Sequence, residues 1–168
     1  MDVTEHAGVT ANQGPEAETF DLRRFLPYQL NQVAELVSKA FQDSYQRDFN
    51  LTRTQWRILA HLASADGMTA KEIAALVHED KVSISRGVVG LEVKALLRRA
   101  LDPDDRRFEF LHLTESGREV FAEVVNRARA FEAELTRHIG EGVVDALQAS
   151  LTEMQTRWEA FACSRKEK

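Results

Sequence analysis

The 168-residue chain carries a single cysteine, Cys163. One thiol cannot build an intramolecular disulfide framework, and Cys163 reads as an ordinary free thiol in a reducing compartment. No apolar run approaches the roughly 20 residues needed to cross a bilayer. The chain does not open on the charged-then-apolar pattern of a secretory leader. The expectation is a cytoplasmic protein with no membrane partner. The five histidines, His6, His61, His78, His112 and His138, lack the paired spacing or cysteine neighbours of a metal site. There is no glycine-rich phosphate loop, no nucleophile elbow and no zinc-hydrolase helix. Aspartate and glutamate are plentiful but fall on helix faces as solvated charge. These absences argue against an enzyme, and no cofactor or metal is expected.

What is present is an ordinary soluble composition, 43% hydrophobic and 29% charged, long enough for a real core. The formal net charge of −5 argues by itself against a nucleic-acid partner, but its distribution reverses the argument. Between Lys81 and Arg107 there are seven Lys or Arg and four Asp or Glu, a local excess of three positive charges. The remainder carries an excess of eight negative charges. Counterion release from a polyanion depends on the local patch rather than the total.

That cationic stretch lies in the most patterned part of the chain. Thr69 is a good N-cap and Glu72, three residues on, completes a capping box. Ile73, Ala74, Leu76 and Val77 make the apolar face of the short helix they begin. His78-Glu79 is a polar break and Asp80 can cap the next helix, read over residues 80–96. There Ile84, Val88, Leu91 and Ala95 recur at helical spacing and face inward. Lys81, Ser83, Ser85 and Arg86 are left at the outer, N-terminal end, where small hydroxyls and cations suit a helix lying against a phosphate backbone and base edges. A hairpin follows over residues 98–113, with Pro103-Asp104-Asp105 at its tip. Gly67-Met68 could add a short third strand. A tip arginine can enter a minor groove, and a neighbouring aspartate can hold it by a bidentate pair. A solvated helix face and a surface hairpin with cancelling charges would share this pattern.

Helix, turn, helix and basic hairpin resemble the winged helix-turn-helix of the MarR (multiple antibiotic resistance regulator) family. The residues that carry the likeness are Leu51-Thr52, Gln55-Trp56-Arg57-Ile58-Leu59, Thr69 with Glu72-Ile73-Ala74, Lys81, Ser83-Ile84-Ser85-Arg86 and Leu91-Glu92. The most specific piece is the wing signature: Asp105 and Arg107 followed, at the family's spacing, by Leu113-Thr114 and Gly117. The resemblance implies that Lys81, Ser83, Ser85 and Arg86 position or read the major groove. It also implies that Arg106 meets phosphate, that Arg107 enters the minor groove and that Asp105 orients Arg107. Two departures stand out. Gly87 and Gly90 lie inside the recognition helix, where close backbone approach to DNA is one reason for them. Ala95 stands where relatives end the helix with glycine, so strain or a different helix end is expected there.

The fold class expected is mainly α with a small β wing: a winged helix-turn-helix DNA-binding domain plus a helical dimerisation domain built from N- and C-terminal helices. Residues 1–19 read as a disordered arm, 20–50 as an N-terminal dimerisation helix, 51–113 as the winged domain, 114–163 as C-terminal dimerisation helices and 164–168 as a tail. Within these, residues 53–63 read as a helix with Trp56, Leu59, Leu62 and Ala63 apolar. Thr114 caps a long helix, and Gly140-Glu141-Gly142 breaks the chain before the last one. Three amphipathic helices outside a small winged unit are most economically covered by a twofold homodimer. Double-stranded DNA on a near-palindrome and a second copy are the expected partners. The family further implies a small aromatic or anionic effector, for which Tyr28, Gln32, Trp56, Arg57 and His61 are the candidate residues. The regulator is expected to be a repressor, the family's commoner mode. A winged helix that binds only protein is the competing reading.

Overall fold

The computed structural model describes residues 20–65, 67–101, 105 and 108–166, the side chains of 162, 163 and 166 excepted. The chain divides into two units, one ending at Leu36 and one beginning at Val37. In the first unit Asp21 caps a 3-10 turn, Leu22–Arg24, its carboxylate accepting from the Arg23 N–H at 3.0 Å. Phe20 meets Phe25 edge to face at 5.4 Å. Helix α1 (Leu26–Phe49) then begins. Pro27 sits in its first turn, where a missing N–H has no helical partner to lose. Up to Leu36 this helix leaves Leu26, Val33 and Leu36 exposed.

The second unit takes the rest of α1, which carries Phe41 and Tyr45 into the core. Helix α2 (Arg53–Ala63) starts on a capping box: the Gln55 N–H donates to the Thr52 hydroxyl at 3.2 Å, and the Thr52 N–H to the Gln55 side-chain oxygen at 3.0 Å. Helix α3 (Ala70–Val77) repeats the device with Thr69 and Glu72. The chain leaves α3 through His78 in the left-handed region, φ 55°, and enters α4 (Lys81–Val93). Strands β1 (Leu97–Leu101) and β2 (Glu109–Leu113) pair antiparallel, Leu97 opposite Leu113 and Leu101 opposite Glu109. Helix α5 (Glu115–Ile139) is capped by Thr114, whose hydroxyl accepts from the Gly117 N–H at 3.0 Å. Helix α6 (Glu141–Lys166) follows.

Leu51, Ile58, Leu59, Ile73, Ile84, Val88, Leu91, Leu111 and Val124 are sealed from solvent and form the centre of this unit. Burial of each such side chain stabilises the fold by about 1.5–3 kcal/mol. At Gly117 an added Cβ would stand 2.0 Å from the Leu96 carbonyl oxygen. Only a glycine lets the start of α5 lie against the end of the α4 turn.

Several sequence expectations change. The strand expected at Gly67-Met68 is a single bridge, Met68 to Leu111, beside a two-stranded sheet. Helix α4 ends at Val93, not Leu96, and Ala95 lies beyond it, exposed rather than inward. The expected strain is there: Ala95 has φ 54°. It occupies the left-handed position of a Schellman stop, with the Ala95 N–H donating to Glu92 O and the Leu96 N–H to Leu91 O. Leu76 and Ala63, expected inside, are exposed, because α3 and α2 each turn only part of their apolar stripe to the core. Only Gly140 breaks the chain before α6; Glu141 and Gly142 are already helical.

Candidate nucleic-acid interface

Helix α4 is held from behind by α2. A Cβ on Gly87 would stand 2.7 Å from Ile58 Cδ1, and one on Gly90 would stand 2.3 Å from Gln55 Nε2. The two glycines therefore serve helix–helix contact inside the protein. The expectation that they let DNA approach the backbone is overturned, since Gly87 is buried and both face α2. At the far end of α4, the Lys94 ammonium donates to the Asn50 carbonyl and to the Gln55 side-chain oxygen at 3.2 Å. Burial holds its pKa below the ordinary lysine value.

The turn between α3 and α4 is tied to α2 through Glu79. Its carboxylate accepts from the Thr54 hydroxyl at 2.7 Å and from the Arg57 guanidinium at 3.1 Å. Asp80 then caps α4, one oxygen accepting from the Val82 and Ser83 N–H groups at 2.8 and 3.0 Å. Its other oxygen accepts from the Ser83 hydroxyl at 2.7 Å. Bonds from Ser83, side chain first and backbone second, hold the Asp80 carboxyl below its usual pKa.

With its rear and ends fixed, α4 presents one free face. Lys81, Val82, Ser85, Arg86, Val89 and Val93 are exposed on it, while Ser83 is half-buried and committed to the cap. No carboxylate occurs between Lys81 and Leu91. The base of the wing is braced to this helix by Arg99. Its Nε donates to Glu92 at 2.8 Å and its Nη1 to Glu109 of β2 at 2.5 Å. Those two carboxylates raise the Arg99 pKa. Arg106 and Arg107, the expected phosphate and minor-groove residues, lie outside the described residues. Asp105 is described, half-buried, with its carbonyl accepting from the Phe108 N–H at 2.9 Å; its expected pairing with Arg107 falls outside them.

The expected effector residues are in varied surroundings. Tyr28 and Gln32 belong to the first unit and are exposed there. In the second unit Trp56 is stacked on Phe121 at 5.7 Å and meets Phe41 at 5.9 Å and Tyr45 at 6.2 Å, so it is a core aromatic. Arg57 is paired with Glu79. His61 is half-buried near the end of α2, where its carbonyl accepts from the Ser64 N–H and hydroxyl. A separate cleft of about 490 Å³ opens at that end of α2, lined by Leu62, Ser64, His112, Leu113, Arg118 and Phe121 among others.

Residues 49–107 match the MarR family model. Over 83% of its length the chain superposes on a MarR/EmrR family transcriptional regulator from Acinetobacter sp. ADP1, with TM-score 0.73, 26% identity and 99% of that chain covered. The chain is similar to the MarR family over residues 49–107 and shares the fold of MarR-family regulators. Another MarR-fold neighbour is the transcriptional repressor CouR bound to a 23-mer DNA duplex, with TM-score 0.72, 28% identity, 79% of this chain and 94% of that one. CouR from Rhodococcus jostii RHA1 has also been solved with p-coumaroyl-CoA, at TM-score 0.67 and 25% identity over 78% of this chain and 92% of that one. Among curated proteins, the HTH-type transcriptional regulator YwoH of Bacillus subtilis (strain 168) is 28% identical over 114 residues, 68% of this chain and 82% of its own length. The chain spans about half the length of three further regulators of that organism that it matches.

Within this MarR fold, the six α-helices and two-stranded wing among the described residues place α4 as the second helix of the helix-turn-helix. Sequence reasoning missed Val82, Val89 and Val93 on its free face. The signal was available: inward positions 84, 88 and 91 send 82, 86, 89 and 93 outward. It also missed the Glu79 tie and the Arg99 brace, whose partners are 22, 7 and 10 residues away with no periodic signature. Among the described residues no helix is long and apolar enough to cross a membrane, and no cluster of three or more His, Cys, Asp or Glu could hold a metal ion.

Proposed function

We propose that this chain is a homodimeric, sequence-specific DNA-binding regulator, a repressor by mode, released from a near-palindromic operator by a small aromatic or anionic effector. The observation that carries the DNA reading is the free face of α4. It is cationic at Lys81 and Arg86, free of carboxylate from Lys81 to Leu91, and held rigidly by α2 and the Asp80 cap. Lys81 and Ser85 then meet the phosphate rim and Arg86 a base edge, with Ser83 orienting the cap. Arg106 and Arg107 of the wing reach phosphate and minor groove, Asp105 orienting Arg107. CouR, a relative of similar fold, is a DNA-bound repressor, which favours this reading over a wing that binds only protein.

The homodimer reading is supported by α6. Val143, Leu147, Leu151, Met154, Trp158 and Phe161 repeat at steps of three and four and are all exposed. A stripe about 27 Å long left uncovered on one copy fits the same stripe of a second copy about a twofold axis. The effector reading rests on the cleft at the end of α2. His112 and Arg118 offer donors to a carboxylate or other anion, and Leu62 and Phe121 an apolar wall. CouR, which binds p-coumaroyl-CoA, combines an aromatic and an anionic group in one ligand. Trp56 and Arg57 act here through packing and the Glu79 tie, and Tyr28, Gln32 and His61 remain effector candidates.

The test is the Lys81→Ala/Arg86→Ala variant, read by fluorescence anisotropy on a duplex that the wild type binds. Both residues are exposed, so circular dichroism should stay unchanged while affinity falls roughly tenfold or more. Unchanged affinity would remove α4 from the interface.

A further inference from the structure

The free face of α4 is apolar at its centre. Ile84, Gly87, Val88 and Leu91 are buried. With about 100° between successive residues, the direction opposite their mean falls on Val82, Val89 and Val93, with Arg86 beside them. These valines are 58%, 50% and 82% exposed. Valine is a poor helix former, and at these exposed positions packing among the described residues compensates little. Three on one line, flanked by Lys81 and Arg86, make an apolar strip within a cationic face.

One surface has the matching chemistry. A DNA major groove offers phosphates along its rim and thymine C5-methyl groups on its floor. The other bases are poorly served by this helix. Adenine is read by Asn or Gln and the cytosine amine by Asp or Glu, and none of these occurs from Lys81 to Leu91. Guanine has Arg86. We propose that Val82 and Val89 are specificity-determining residues that read thymine methyl groups, an inference that rests on the DNA-binding reading above. Seven residues separate them, about 10 Å along the helix and therefore about three base-pair steps. The recognition element under each α4 holds thymines about three steps apart, next to the guanine taken by Arg86.

The full-length protein is used to select duplexes from a random pool. Deoxyuridine then replaces thymine, one position at a time, in the selected site. The wild type should lose about fourfold in affinity at each of two positions in either half-site, the worth of one buried methyl group. The Val82→Ala protein should lose that sensitivity at one position of each half-site and Val89→Ala at the other. Both side chains are exposed, so the variants should keep the wild-type circular dichroism and melt no lower than the wild type. A selected site whose uridine sensitivity is the same in wild type and variants, or which has no thymine under α4, overturns the valine reading and leaves DNA binding standing. A pool that shows no enrichment overturns both.

Discussion

Gly90→Ala separates two roles for a glycine in a recognition helix. The new methyl carbon would stand 2.3 Å from Gln55 Nε2, so the Gln55 amide must move. Gln55 is buried, and its oxygen accepts from the Thr52 N–H at 3.0 Å and from Lys94 at 3.2 Å. Displacing it weakens a helix cap worth about 1 kcal/mol. Overpacking at the α2–α4 contact adds roughly 1–3 kcal/mol. Alanine returns about 1 kcal/mol of helix propensity. The balance is a destabilisation of about 2 kcal/mol, a fall in Tm of roughly 4–8 °C. It is read by thermal denaturation at fixed protein concentration, since association also sets Tm. DNA affinity at a temperature where the variant is folded should change little. A variant with unchanged or raised Tm and a large loss of DNA affinity would refute this reasoning and return Gly90 to the DNA-facing side.

Three further outcomes follow from the local geometry. Ala95→Gly should stabilise the protein by up to about 1 kcal/mol, because Ala95 holds φ 54° where glycine has no Cβ penalty; a lower Tm would contradict the Schellman assignment. The Glu72 carboxyl is held below its usual pKa by bonds from the Thr69 backbone and hydroxyl. A depressed folded-state pKa means that its contribution is present above pH of about 4.5 and is lost as pH falls through the lowered value. Glu72→Gln should therefore lessen the acid loss of stability seen in urea titrations below that pH, and an acid limb identical to wild type would count against the cap. Leu151→Asp, on the exposed stripe of α6, should shift sedimentation from dimer to monomer, whereas unchanged mass would place the interface elsewhere.

Local chemistry was the legible part of this chain. Thr69 with Glu72, Asp80 before α4 and Thr114 before α5 are caps whose donors and acceptors lie within three residues of each other, so spacing alone announces them. The inward set Ile84, Val88 and Leu91 was equally plain from its period. What could not be read depends on pairs far apart in sequence. Gly87 and Gly90 look like helix-weakening departures until α2 is seen behind them, with Thr54, Gln55 and Ile58 filling the space a Cβ would take. The pairing of Arg57 with Glu79, 22 residues on, has no local signature either. In each case the partner of a polar or small residue lies on a distant segment that periodicity does not reveal.

The most direct measurement of the DNA-binding claim is fluorescence anisotropy of the full-length protein on the duplex upstream of its own gene, beside a scrambled duplex of equal length, across a salt series. The account predicts tighter binding to the upstream duplex and a steep fall in affinity with salt, as Lys81, the wing arginines and their symmetry mates release phosphate counterions. Equal, weak binding to both duplexes with a shallow salt slope would contradict it and bring forward a winged helix that docks on protein.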